Sequence, residues 1–142
     1  MRCARRGVPR AILDPGVLVS ALITPTGIAA KVLRAAREGN FDLLVSRLLL
    51  DELESVLRRD KFRRYLNLDD VSAGIRLLLD EGQLVEDPDG PPPLRCADPQ
   101  DDYLIALAHQ EEAALVSGDR HLLDLASKIP VFSPSDFLAT RL

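Results

Sequence analysis

The sequence predicts a three-layer α/β domain built around a parallel sheet. Short apolar runs alternate with stretches of helical period, and clusters of Gly, Pro, Asn and Asp separate them. The 142 residues, 46% of them apolar, suit one domain with a buried core. Aromatic residues make up only 4% and Trp is absent, so that core must be Leu, Val, Ile and Ala.

Residues 10 to 13 read as a short buried strand ended by Asp14. Val17 to Ile23 is an apolar run that leads into Thr24-Pro25-Thr26-Gly27, which is turn chemistry. Ile28 to Arg37 places apolar residues at Ile28, Val32, Leu33 and Ala36, a helical period, and stops at Gly39-Asn40. Phe41 to Val45 is a second strand. Ser46 is a fitting N-cap for a helix from about Arg47 to Arg59. Asp69 to Glu81 is another helix, stopped by Gly82, with Leu84-Val85 as a short edge strand. Glu86 to Pro93 carries four prolines and one glycine, so it is a loop, and too little chain follows it for a second core. Asp98-Pro99 starts the next helix, with Asp98 as N-cap and proline in the first helical position. Ala113 to Val116 is a strand, Arg120 to Ala126 a short helix, Val131-Phe132 the last strand, and Ser133-Pro134 the start of a terminal helix. There is no internal repeat and no low-complexity tract.

The net charge of −4 and a pI near 5.2 run against nucleic-acid binding, because phosphate contacts need Lys or Arg. Positive charge is nevertheless concentrated in Arg2, Arg5, Arg6 and Arg10, and again in Arg58, Arg59, Lys61, Arg63 and Arg64. Cys3 and Cys96 form no spaced motif, which favours free thiols in a reducing compartment. No apolar run approaches the length of a signal peptide core or a membrane span, so a soluble, cytoplasmic protein is expected.

Four acids stand out. Asp14 and Asp119 fall at or just beyond the carboxyl ends of two expected strands, the edge where open α/β sheets bind ligands. Glu52 and Asp102 lie on two expected helices. If the four converge, like charges about 4 Å apart repel by roughly 4 kcal/mol at an effective dielectric near 20, and a divalent cation is the natural compensation. Oxygen-only ligands suit Mg²⁺ or Mn²⁺, and no His or Cys spacing points to zinc.

With those acids in place the chain resembles the PIN-domain family over its whole length, residues 1 to 142, as a single domain. The resemblance rests on Leu13-Asp14 followed by Val17-Leu18-Val19-Ser20-Ala21-Leu22, on Ser46 to Leu57 with Glu52-Leu53, on Asp98-Pro99-Gln100-Asp101-Asp102, and on Val116-Ser117-Gly118-Asp119-Arg120. Order and spacing together are most similar to the toxin-antitoxin branch, the VapC-like toxin ribonucleases. The resemblance implies a sheet in the order 3-2-1-4-5 and an acidic pocket for one or two Mg²⁺ or Mn²⁺ ions. It also implies hydrolysis of RNA phosphodiester bonds, a cognate antitoxin and a homodimer. Carried over by position, the family acids fall on Asp14, Glu52, Asp102 and Asp119, with Asp98, Asp101 and Ser117 in support. One departure stands beside these matches. The family usually follows its first aspartate with Thr-Asn, and here the residues are Pro15-Gly16, which supply no side-chain donor. Such supporting contacts are worth roughly 10 to 100-fold in metal affinity or activity. A PIN-like module that binds RNA or a protein and cuts poorly is therefore the rival reading.

Each of these residues also has a plainer role. Asp14 before Pro-Gly is ordinary turn chemistry. Asp51, Glu52 and Glu54 share one helical turn, and any two could be solvated. Asp98 and Asp101 fit an N-cap with an acid at the third position, and Asp119 could cap the helix from Arg120. His109 and His121 have no spacing that joins them to the acids and read as surface residues. Arg58, Arg59, Lys61, Arg63, Arg64 and Arg120 are candidates for gripping RNA, although bases near a helix C-terminus also complement its dipole. A different Mg²⁺ phosphohydrolase is disfavoured, since no Asp-x-Asp follows the first strand and no phosphate-loop Gly-Lys-Ser is present.

Overall fold

The computed structural model describes residues 7–95 and 98–142. Cys3, Cys96, Arg2, Arg5 and Arg6 lie outside the described residues, so the thiols and the amino-terminal basic cluster belong to the sequence argument alone. Five strands form one sheet with every pairing parallel: β1 Arg10–Leu13, β2 Asp42–Val45, β3 Gln83–Leu84, β4 Ala114–Val116 and β5 Val131–Phe132, in the order β3-β2-β1-β4-β5. This is the expected 3-2-1-4-5 sheet.

β1 is the central strand. Ala11 pairs with Leu43 on one side and Ala114 on the other, and Leu13 pairs with Val116. Ala11, Ile12 and Leu13 are fully buried. A parallel strand covered on both faces must be apolar throughout, which is why these runs do not alternate.

Helices α1 Pro15–Ile23 and α2 Ile28–Arg37 link β1 to β2, and α3 Arg47–Leu57 and α4 Leu68–Glu81 link β2 to β3. The path from β3 to β4 then runs back across the sheet through α5 Asp102–Glu111, and α6 Arg120–Leu123 leads on to β5 and the terminal α7 Pro134–Arg141. Since such crossovers are right-handed, α1 to α4 cover one face and α5 and α6 the other. Phe137 of α7 meets Phe41 edge-on at 5.1 Å and fixes the terminal helix beside the start of β2.

Local chemistry explains most boundaries. Ser46 caps α3 by accepting from the Leu49 N–H, Ser133 caps α7 from Asp136, and Asn67 with Asp70 forms a reciprocal capping box that starts α4 at Leu68. The run Val17 to Ile23 is a helix that begins at Pro15. Pro15, Val17, Leu18, Val19 and Ala21 are all buried, so no polar face marked its period. Asp98-Pro99 opens a 3-10 turn over Pro99–Asp101, and α5 starts only at Asp102. α6 ends at Leu123 and turns carry the chain on, three residues short of the expected end at Ala126. No single helix among the described residues is long and apolar enough to cross a membrane.

The crossover leaving β1 goes to β2, whereas the one leaving β4 goes to β5, on the opposite side. The carboxyl ends of β1 and β4 therefore flank the switch point of the sheet, where neighbouring loops part and leave a crevice.

Candidate functional site

Asp14 leaves β1 at that switch point. Its backbone N–H continues the ladder to the Val116 carbonyl at 3.0 Å, and its side chain caps α1, Oδ1 accepting from the Val17 N–H at 2.8 Å. Pro15 occupies the first helical position, where its missing N–H costs nothing. From the end of β4, the fully buried Ser117 hydroxyl donates to Asp14 Oδ2 and accepts from the Asp119 N–H at 2.9 Å. Asp119 in turn caps α6, accepting from the His121 N–H at 2.9 Å. One hydroxyl thus ties the two strand ends together and fixes the spacing of two acids from opposite sides of the crevice.

The crevice is a cavity of about 360 Å³ lined by Asp14, Glu52, Asp101 and Asp119, together with Pro15, Gly16, Val17, Ser20, Ala29, Gly118 and Pro134. Glu52 reaches it from α3. Its neighbours on that helix turn elsewhere: Asp51 is exposed, and Glu54 pairs with Arg58 at 2.9 Å. Asp98 caps the 3-10 turn by accepting from the Gln100 N–H at 3.0 Å, whereas Asp101 makes no capping bond and faces the cleft. The chain therefore divides the two acids, one holding the turn and the other lining the crevice. Asp102 is buried at the first position of α5 and forms an ion pair with Arg95 at 3.2 Å. It is not among the residues that line the cleft.

Electrostatics follow from this crowding. Burial raises the pKa of Asp14, against the Ser117 and Val17 hydrogen bonds, and the nearby charge of Asp119 adds to the rise. Burial also raises Glu52, with the Tyr103 hydroxyl pulling the other way. Asp101 is pushed up to about 6, first by desolvation and then by the charges of Asp98, Asp119, Asp14 and Glu52. No Lys or Arg is among the described residues that line the cleft. An all-oxygen donor set with uncompensated negative charge fits a hard divalent cation such as Mg²⁺ or Mn²⁺. Among the described residues no group of three or more Asp, Glu, His or Cys side chains is gathered closely enough to hold a metal ion by itself.

Two residues at the site went unnoticed in the sequence. Ser20 lines the cleft from α1. Tyr103, one residue into the apolar α5 run, buries its hydroxyl beside Glu52. The only sequence signal for Tyr103 was a hydroxyl-bearing ring inside an otherwise small aliphatic run.

The basic candidates and the histidines are not among the residues that line the cleft. Arg63 donates to the Leu57 carbonyl and so closes the C-terminus of α3. Lys61 lies 5.1 Å over the Phe62 ring and Arg64 5.6 Å over Tyr65. Arg59, Lys61, Arg64 and Arg120 are exposed, as are His109 and His121. A larger cavity of about 450 Å³ opens at the amino-terminal edge of β4 and β5, where Ile105, Ala108, Leu115 and Val131 make it apolar and His109 contributes to its wall. It holds none of the clustered acids.

The sequence profile of the PIN domain matches residues 10–121. The uncharacterized protein MJ1680 of Methanocaldococcus jannaschii is 27% identical over 116 residues, covering 82% of this chain and 74% of that protein. The crystal structure of PAE2754 from Pyrobaculum aerophilum superposes with a TM-score of 0.63 at 19% identity, over 94% of this chain and 91% of that one. A PilT N-terminus domain protein, SSO1118 from Sulfolobus solfataricus, gives 0.56 at 15% identity, over 94% and 93% of the two chains. VapBC2 from Rickettsia felis, solved with a DNA fragment from its promoter, gives 0.60 at 15% identity, over 87% and 97%. At these identities the three structures establish the fold.

Proposed function

The chain belongs to the PIN-domain family, whose members are generally nucleases that use divalent metals, and from that membership we propose that its acidic cleft hydrolyses RNA phosphodiester bonds. The observation that carries the reading is the convergence of Asp14, Glu52, Asp101 and Asp119 at the switch point of the sheet, with no basic side chain among the described residues that line the cleft.

Asp14 and Asp119 would hold a Mg²⁺ or Mn²⁺ ion from the two strand ends, with Glu52 and Asp101 completing the acidic wall. Asp102, one residue along from Asp101, would support the site from its ion pair with Arg95. A cation held there by these carboxylates would supply activation of a water nucleophile and neutralisation of phosphate charge. The Ser117 hydroxyl donates to Asp14 Oδ2 and the Val17 N–H to Oδ1, so both oxygens of this cleft carboxylate are held in place. Arg59, Lys61, Arg64 and Arg120 are exposed cations that would bind the RNA backbone. The likeness to VapBC2 favours an antitoxin partner, and the family resemblance extends the proposal to a toxin that works as a homodimer in the cytoplasm.

Pro15 and Gly16 line the cleft without a side-chain donor, and they favour a second reading, a PIN module that binds RNA or a protein and cuts slowly. Incubating a pool of structured and single-stranded RNA with Mg²⁺, Mn²⁺ or EDTA separates the two. The nuclease reading expects cutting with either metal and none in EDTA. Folded protein that retains RNA but leaves it intact with both metals supports the binding module.

A further inference from the structure

We propose that Tyr103 is a positioning residue, whose hydroxyl donates to the Glu52 carboxylate in the cation-loaded cleft and holds it towards the metal. The proposal rests on the cleft being a divalent-cation site. The Tyr103 hydroxyl oxygen is fully shielded from solvent and makes no well-formed hydrogen bond within the described residues. Buried polar atoms are almost always paired, and an exception marks a group waiting for its partner. Glu52 of α3, which lines the cleft, lies within hydrogen-bonding reach of this hydroxyl.

The arrangement explains a difference in support among the acids. Asp14 is held by Ser117 and by the first turn of α1, and Asp119 by the His121 N–H. Glu52, at the end of a longer side chain in the middle of α3, accepts from no backbone N–H among the described residues and needs a donor from another element. α5 provides it, from the residue next to Asp102. A carboxylate fixed through one oxygen presents the other in a defined direction, which lowers the ordering cost of capturing an ion.

Tyr103→Phe removes the hydroxyl and keeps the ring. Isothermal titration of metal-free wild type and Tyr103→Phe with Mn²⁺, alongside thermal unfolding without metal, tests the proposal. The expected result is a loss of about 10-fold in Mn²⁺ affinity with an unfolding midpoint equal to or above wild type, because a buried unpaired hydroxyl has been removed. In RNA cleavage, kcat falls and KM is unchanged. Equal Mn²⁺ affinity in the two proteins overturns the positioning role and leaves the cation site standing. A wild type that takes up no Mn²⁺ overturns the cation site and this role with it. A lower midpoint with unchanged affinity identifies Tyr103 as packing only.

Discussion

Replacing Asp101 with Asn should make the metal-free protein more stable and bind metal worse. Asp101 is pushed up to about 6 in the fold from its ordinary 3.8, because burial and the charges of Asp98, Asp119, Asp14 and Glu52 disfavour its ionised form. Between those values the folded protein holds more protons than the unfolded chain, so stability falls as pH rises through the window. At pH 7 the whole penalty is present, and at pH 3 none of it is. The shift corresponds to about 3 kcal/mol unscreened, and solvent at this half-open position reduces that to about 1 kcal/mol. For a chain of this length, about 1 kcal/mol is a rise of about 3–4 °C in Tm. The assay is thermal unfolding of wild type and Asp101→Asn in EDTA at pH 7 and pH 3.5. We expect the variant to be the more stable at pH 7, the gap to close at the acid end, and millimolar Mn²⁺ to reverse the order at pH 7. An Asp101→Asn protein no more stable than wild type at pH 7 refutes the claim that the cleft concentrates uncompensated charge.

Other changes follow from the same geometry. Ser117→Ala strips the buried Asp14 Oδ2 of its donor and the Asp119 N–H of its acceptor, so it should cost about 2 kcal/mol in urea unfolding and weaken Mn²⁺ binding. An unchanged midpoint would show that the two strand ends do not depend on that hydroxyl. The paired substitution Pro15→Thr with Gly16→Asn should raise RNA cleavage by about 10-fold. A Cβ at position 16 meets Asp14 Oδ1 at an ordinary 3.5 Å, so the fold accepts it, and failure to gain activity removes Pro15-Gly16 as the limiting feature.

Much of this architecture was readable because single residues decided it. Ser46 announced α3 as its N-cap, Ser133-Pro134 marked the start of α7, and continuous apolar runs at 11–13 and 114–116 announced strands buried on both faces. Where the signal failed, the physics says why. α1 is buried on nearly every side, so it carries no polar stripe, and Asp14 could be read as a turn residue when it is the helix cap. At the start of α5 a single residue changes the direction of a side chain by about a third of a turn. The 3-10 turn before it then decides that Asp101 lines the cleft while Asp102 meets Arg95. Sequence spacing cannot resolve that step. Nor can it show that the tip of Tyr103 reaches a carboxylate on α3, because the contact joins residues 51 positions apart.

The most direct test of the central claim is cleavage of RNA in Mg²⁺ by wild type beside the double variant Asp14→Asn with Asp119→Asn, both verified as folded by circular dichroism. The account predicts that cutting seen in the wild type disappears in the variant, since the two strand-end carboxylates hold the metal. Equal cutting by both proteins would place the chemistry outside the acidic cleft and contradict the account.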